Sequence, residues 1–153
     1  MEFQSNLLVL VDDDSSVGVL VERRLAKSDW DLVCFTSGLA AIEYLSSHAP
    51  GVLLLDIRMP QISGDELLLE LAVQKILHPQ TRVLVSSSVE PLEAVWQKFA
   101  PFGAAFVSKD VIREKGALLD LLGSDQEPNG PTAKYPGTSP RSTDRGAVVQ
   151  SVP

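Results

Sequence analysis

The chain has 153 residues, 44% of them hydrophobic, which suits one domain with an ordinary buried core. A net charge of -7 and a pI near 4.7 would repel nucleic acid, and no basic patch offsets that charge. The single cysteine, Cys34, cannot close an internal disulfide, no apolar run approaches the roughly 20 residues of a membrane span, and no lysine- or arginine-led apolar leader precedes Leu7, so a reducing cytoplasmic address away from the membrane is expected.

Leu7-Leu8-Val9-Leu10-Val11 is a continuous aliphatic run, the pattern of a strand covered on both faces, and it ends in Asp12, Asp13 and Asp14. Val17, Leu20, Val21 and Leu25 then recur at helical spacing, with Glu22, Arg23, Arg24 and Lys27 on the other side. That predicts a helix from near Ser15, capped by Asp14 or Ser15, to near Ser28-Asp29. Leu32-Val33-Cys34-Phe35 reads as a short strand, and Thr36-Ser37-Gly38 as the turn into a helix carrying Leu39, Ile42 and Leu45 and closed by Pro50-Gly51. Val52-Leu53-Leu54-Leu55 is the third strand, with Asp56 at its carboxyl end. The stretch from Ile57 to Gly64 has no helical pattern, so Asp56 is too far from a helix start to cap one. Leu67, Leu68, Leu71, Ala72 and Ile76 mark a third helix, ended by His78-Pro79-Gln80. Arg82-Val83-Leu84-Val85 is the fourth strand and delivers Ser86-Ser87-Ser88 to its carboxyl end. Pro91 opens a fourth helix through Leu92, Val95, Trp96 and Phe99. Residues 103–108 form a fifth strand ending at Lys109, and Asp110 is placed to cap a final short helix containing Ile112, Leu118, Leu119 and Leu122. From Ser124 onward Gly, Pro, Ser and Thr dominate, so a domain over 6–122 is expected to be followed by a disordered tail or linker over 123–153.

Five strands alternating with five helices predict a three-layer α/β domain with parallel pairing and helices on both faces. In such a sheet the carboxyl ends of the strands form one edge, where ligands bind. The polar residues left without a structural duty all fall there: Asp12 and Asp13, Asp56, Ser86 to Ser88, and Lys109. Carboxylates brought within about 5 Å repel by about 3 kcal/mol per pair at an effective dielectric of about 20. A divalent cation removes that cost, and oxygen-only ligands favour Mg2+ or Mn2+ over zinc. Cation, ammonium and hydroxyl together describe a phosphoryl site, in which Asp56, central and followed by a long loop, is the nucleophile candidate. Taken singly, Lys109 reads as a surface cation and a serine after a strand as turn chemistry. Their joint placement on one edge would require independent accidents. His48 and His78 fall at helix ends, away from this edge.

Val11-Asp12-Asp13-Asp14, Leu55-Asp56-Ile57-Arg58-Met59-Pro60 with Ser63-Gly64, the serines after Val85, and Gly103-Ala104 with Phe106 and Lys109 closely resemble the receiver domain of two-component response regulators. The likeness covers about residues 6 to 122. It implies a flavodoxin-like (βα)5 fold whose five-stranded parallel sheet has the order 2-1-3-4-5. It further implies that Asp56 accepts a phosphoryl group from a histidine kinase or histidine phosphotransfer protein. Mg2+ or Mn2+ would be held by Asp12, Asp13, Asp56 and the backbone carbonyl of Arg58. Lys109 and a serine hydroxyl would bind the phosphate, and Phe106 would turn inward. The surface of the fourth helix, fifth strand and fifth helix would then change its affinity for a downstream protein or for a second copy of the chain. The resemblance thus implies a self-phosphorylating phosphoacceptor, able to lose the group again, rather than an enzyme with steady turnover. Strand length and the separation from Lys109 make Ser87 the hydroxyl, while the apolar residue before it makes Ser86 the alternative. The chain departs from the family pattern in the short run from Gly103 to Lys109, in Asp110 where proline is common, and in Gly116 within the last helix. No output domain follows in this sequence, so a stand-alone receiver, or one missing its output domain, is expected. Two other readings are a degenerate receiver serving as an interaction module and a haloacid-dehalogenase-type phosphatase built on Asp12-x-Asp14, which would leave Asp56 unused.

Overall fold

In the computed structural model, which describes residues 2–123 and 149–152, strands and helices alternate from the start. The elements are β1 (Phe3–Val11), α1 (Ser15–Leu25), β2 (Asp31–Phe35), α2 (Gly38–Leu45), β3 (Ala49–Asp56), α3 (Gly64–Val73), β4 (Arg82–Ser87), α4 (Glu93–Trp96), a 3-10 turn (Ala100–Phe102), β5 (Ala105–Ser108), α5 (Lys109–Arg113), α6 (Ala117–Gly123) and β6 (Val149–Val152). All pairings are parallel and the sheet order is β5-β4-β3-β1-β2-β6. The expected order 2-1-3-4-5 is therefore present. A sixth strand that the sequence does not predict extends it, pairing Leu32 with Val149 through Phe35 with Val152. The tail expected over 123–153 falls outside the described residues for 124–148 and 153; Gly123 closes α6 and 149–152 form β6.

Alternation along the strands builds the two side layers. Leu7, Val9 and Val11 of β1, with Leu53 and Leu55 of β3, pack on α2, α3 and α4 through Ala41, Leu45, Leu67, Leu68, Leu71 and Trp96. Leu8 and Leu10, with Leu54 and Leu84, face Val21 and Leu25 of α1, Ile112 of α5, and Leu118 and Leu122 of α6. Strands buried on both sides explain why β1 and β3 read as unbroken aliphatic runs. The chain leaves β1 for β2 on one side and then crosses to β3 on the other. That reversal opens a crevice above the carboxyl ends of β1 and β3.

Several boundaries differ from expectation. Pro50-Gly51 does not close α2, which ends at Leu45, but lies inside β3. There the β1–β3 register shifts between Gln4 and Leu8, and a Cβ on Gly51 would stand 2.1 Å from the Ser5 carbonyl oxygen. Only glycine permits that approach. Ile76 lies beyond α3, because Lys75 turns to φ 58° and the Ile76 N–H returns to the Leu71 carbonyl. α4 stops at Trp96, short of Phe99, and Gly103 at φ 66° leads from the 3-10 turn into β5, which begins at Ala105 rather than 103. The single final helix is in fact two, separated at Gly116 with φ 88°, giving six α-helices among the described residues instead of five. Ser108, not Asp110, caps α5: its hydroxyl accepts the Asp110 N–H at 3.2 Å.

Candidate functional site

Asp12 leaves β1 with its N–H on the Phe35 carbonyl at 3.0 Å, so β2 pins the backbone where the crevice begins. Its Oδ1 accepts the Asp14 N–H at 2.9 Å and holds the turn, while Oδ2 meets Lys109 Nζ at 3.0 Å. Asp12 is buried and Asp13 is exposed. Asp14 turns away to cap α1, accepting from the Ser16 hydroxyl at 2.6 Å and the Ser16 N–H at 2.9 Å. Those two bonds hold its carboxyl below the usual carboxylate range.

Asp56 ends β3 opposite Ser86 of β4, and the next N–H, from Ile57, donates to the Ser86 carbonyl at 3.2 Å. The following loop folds back until the Gly64 N–H reaches the Ile57 carbonyl at 2.9 Å. A Cβ on Gly64 would sit 2.5 Å from the Asp56 carbonyl oxygen, so the start of α3 rests directly on the backbone of the acid. Ser63 occupies the cap of α3, with its N–H on Glu66 Oε1 at 3.1 Å, which leaves Asp56 free of capping duty.

The Asp56 side chain is only 12% exposed, and its Oδ1 lies 3.4 Å from Lys109 Nζ. Carboxylate oxygens of Asp12, Asp13 and Asp56 lie within 4.8 Å of one another. Burial first, then the Asp12 charge, with Asp13 adding to it, push the Asp56 carboxyl up to about 6 against the pull of Lys109. Burial alone would lower the Lys109 ammonium, but Asp12 and then Asp56 outweigh it and raise its pKa. A buried pair of carboxylates with one exposed neighbour, oxygen donors alone among the described residues, and a single ammonium that leaves two negative charges unbalanced fits a hard divalent cation.

A cleft of about 490 Å3 opens beside these groups, lined by Asp56, Arg58, Ser87, Glu90, Val95 and Lys109 among others. Ser87 is half-buried on this cleft, its hydroxyl accepting the Val89 N–H at 3.4 Å. Ser86 is fully buried, donates to the Leu55 carbonyl at 3.3 Å and does not line the cleft. Arg58 is exposed at the cleft wall, whereas Phe106 is 2% exposed in the layer beneath α4. His48 and His78 lie at the opposite edge, near the amino-terminal ends of β3 and β4, stacked on Tyr44 and Phe3 respectively. Two contacts escaped the sequence reading. The Gly64 approach to Asp56 had a signal in Ser63-Gly64, but Arg24, read as an outer-face residue, reaches across to α5 with none.

Among the described residues, no helix is long and apolar enough to cross a membrane. The signal receiver domain of the response regulator NarL from Mycobacterium tuberculosis is similar in structure, with a TM-score of 0.61 and 27% identity over 78% of this chain and 97% of that one. Chemotaxis protein CheY4 of Vibrio cholerae shares the fold, with a TM-score of 0.66 and 21% identity over 76% of this chain and 94% of that one. In sequence, the chain is 32% identical over 156 residues to the DNA-binding transcriptional regulator NtrC of Escherichia coli (strain K12), covering 95% of this chain and 33% of that protein. It thus spans about a third of the length of that relative. The response regulator receiver domain family model matches residues 8–120, a span that contains both acidic strand ends, the serines and Lys109. By that match, on a sheet of the same order, the chain belongs to the response regulator receiver domain family.

Proposed function

We propose that the chain is a phosphoacceptor switch in which Asp56 takes a phosphoryl group from the phosphohistidine of a histidine kinase or phosphotransfer protein. The observation that carries this reading is the placement of three carboxylates within 4.8 Å of one another, with Lys109 Nζ at 3.0 Å from Asp12 and 3.4 Å from Asp56. Asp12, Asp13, Asp56 and the Arg58 backbone carbonyl would hold Mg2+ or Mn2+, which when bound would screen the carboxylates and the charge on the phosphoryl oxygens. An Asp56 carboxylate oxygen attacks phosphorus, the phosphorus–nitrogen bond breaks, and the imidazole leaves with the bonding pair. Lys109 neutralises the phosphoryl oxygens from the side of Asp12. Ser87 supplies the hydroxyl, because recruiting Ser86 would break its buried bond to Leu55, a loss of about 1 kcal/mol.

Phosphorylation places new charge beside β4 and β5, and the surface of α4, β5 and α5 changes its affinity for a downstream protein or a second copy in response. Exposed Val89 and Leu92 at the entrance to α4 offer apolar area for that contact. The phosphatase alternative would need Asp14 as its general acid, yet Asp14 is committed to Ser16 as the cap of α1. With Mg2+ and labelled acetyl phosphate, the parent chain should take up label and Asp56→Asn should take up almost none. Equal labelling of the two would remove Asp56 as the acceptor.

A further inference from the structure

α5 has five residues, and Lys109 is the first of them. Gly116 at φ 88° separates α5 from α6, so α5 is not braced as part of a longer rod. The last carbonyls of any helix lack partners within it. Here Arg24, in the last turn of α1, supplies them: Nε donates to the Ile112 carbonyl at 3.0 Å and Nη2 to the Arg113 carbonyl at 2.5 Å. A planar guanidinium fork meets two adjacent carbonyls in a way no other side chain does, and its charge suits a helix carboxyl end. Apolar packing between the two helices leaves a gap of about 30 Å3 lined by Val17, Leu20, Ile112, Arg113 and the Lys109 side chain itself. The polar tie therefore secures α5 on α1 where side-chain packing is incomplete.

The same two helices begin at the site. Asp12 and Asp13 lead into α1, and Lys109 opens α5. We propose that Arg24 is a positioning residue for Lys109, resting on the reading of Asp56 as phosphoacceptor: by fastening the carboxyl end of α5 to α1 it sets Lys109 Nζ between Asp12 and Asp56.

Two readouts on the full chain test this. In Arg24→Gln, uptake of phosphate from acetyl phosphate at saturating Mg2+ should slow by about tenfold, since small displacements of a charge-stabilising group carry large rate effects. Arg24→Lys, with one compact ammonium, should recover part of the rate. Independently of phosphorylation, chemical acetylation of Lys109, 14% exposed, should rise severalfold in Arg24→Gln relative to Lys98, 62% exposed. Alkylation of Cys34, buried and with its thiol pushed up to about 11 by burial, should stay as slow as in the parent. Unchanged uptake and unchanged Lys109 acetylation would overturn the proposal, as would faster Cys34 alkylation in step with Lys109, which would mean general loosening. Faster Lys109 acetylation in Arg24→Gln, in a parent that takes up no phosphate on Asp56, would sink the phosphoacceptor reading while leaving the tie intact.

Discussion

Asp56 carries the largest electrostatic cost in the described site: it is buried, and two acids sit beside it with one ammonium in partial compensation. Its proton is held up to about pH 6 in the folded chain, against 3.8 for the ordinary group. The folded state therefore binds that proton more tightly than the unfolded state does. The resulting stability is complete below pH 3.8 and is lost as pH rises through about 6. Asp56→Asn has no such loss. In chelator-containing buffer the variant should exceed the parent in urea stability at pH 8 by about 1–2 kcal/mol, a value discounted for the open mouth of the cleft. The gap should close near pH 4, and an equal gap at both pH values would contradict the assignment. The convergence of Asp12, Asp13, Asp56 and Lys109 on one edge was legible in the sequence because an aliphatic run that stops at an acid or a lysine fixes where that side chain emerges. The serine was not. Ser86 and Ser87 share a strand end, and only the pairing of Asp56 with Ser86 shows which hydroxyl turns into the sheet and which faces the cleft.

At the scale of elements, the start of α3 is the support on which Asp56 rests. Gly64→Ala places a methyl 2.5 Å from the Asp56 carbonyl oxygen and should cost about 2–3 kcal/mol, with slower phosphate uptake as the backbone of the acid shifts. Gly116→Ala meets nothing within 4 Å and should cost only about 1 kcal/mol, from the strain of a side chain at φ 88°. Comparable losses in the two variants, measured by urea unfolding, would mean that the Asp56 contact is not what Gly64 protects. Helix existence was readable from spacing, since α1, α2 and α3 each bury a periodic apolar face. Helix ends were less so. α4 is cut to one turn by the 3-10 turn at Pro101, and Pro50-Gly51, a helix stop by composition, enters β3 where the β1–β3 register shift accommodates it. β6 was missed because its Val149-Gln150-Ser151-Val152 is short and follows a Gly/Pro/Ser/Thr-rich stretch, whereas the open edge of β2 gives it a strand to pair with.

For the molecule as a whole, burial of the central strands on both faces sets the architecture. Leu54 faces α1, α5 and α6, and Leu55 faces α2 and α3, each 0% exposed. Truncating either to alanine should cost about 2–5 kcal/mol in urea unfolding. A large loss from one and a negligible loss from the other would describe a sheet covered on one side only. Parallel pairing was legible from the strand–helix alternation, whereas the strand order rested on the family resemblance, because periodicity does not say which strands are neighbours. That order matters for the chemistry: placing β1 beside β3 is what brings Asp12 and Asp13 to Asp56.

The most direct measurement is site-resolved trapping of the acyl phosphate. The chain is incubated with acetyl phosphate and Mg2+, reduced with borohydride and mapped by peptide mass spectrometry. The account predicts homoserine at position 56, abolished by a chelator. Reduction at Asp12, Asp13 or another acid, or an equal yield at position 56 without the cation, would contradict it.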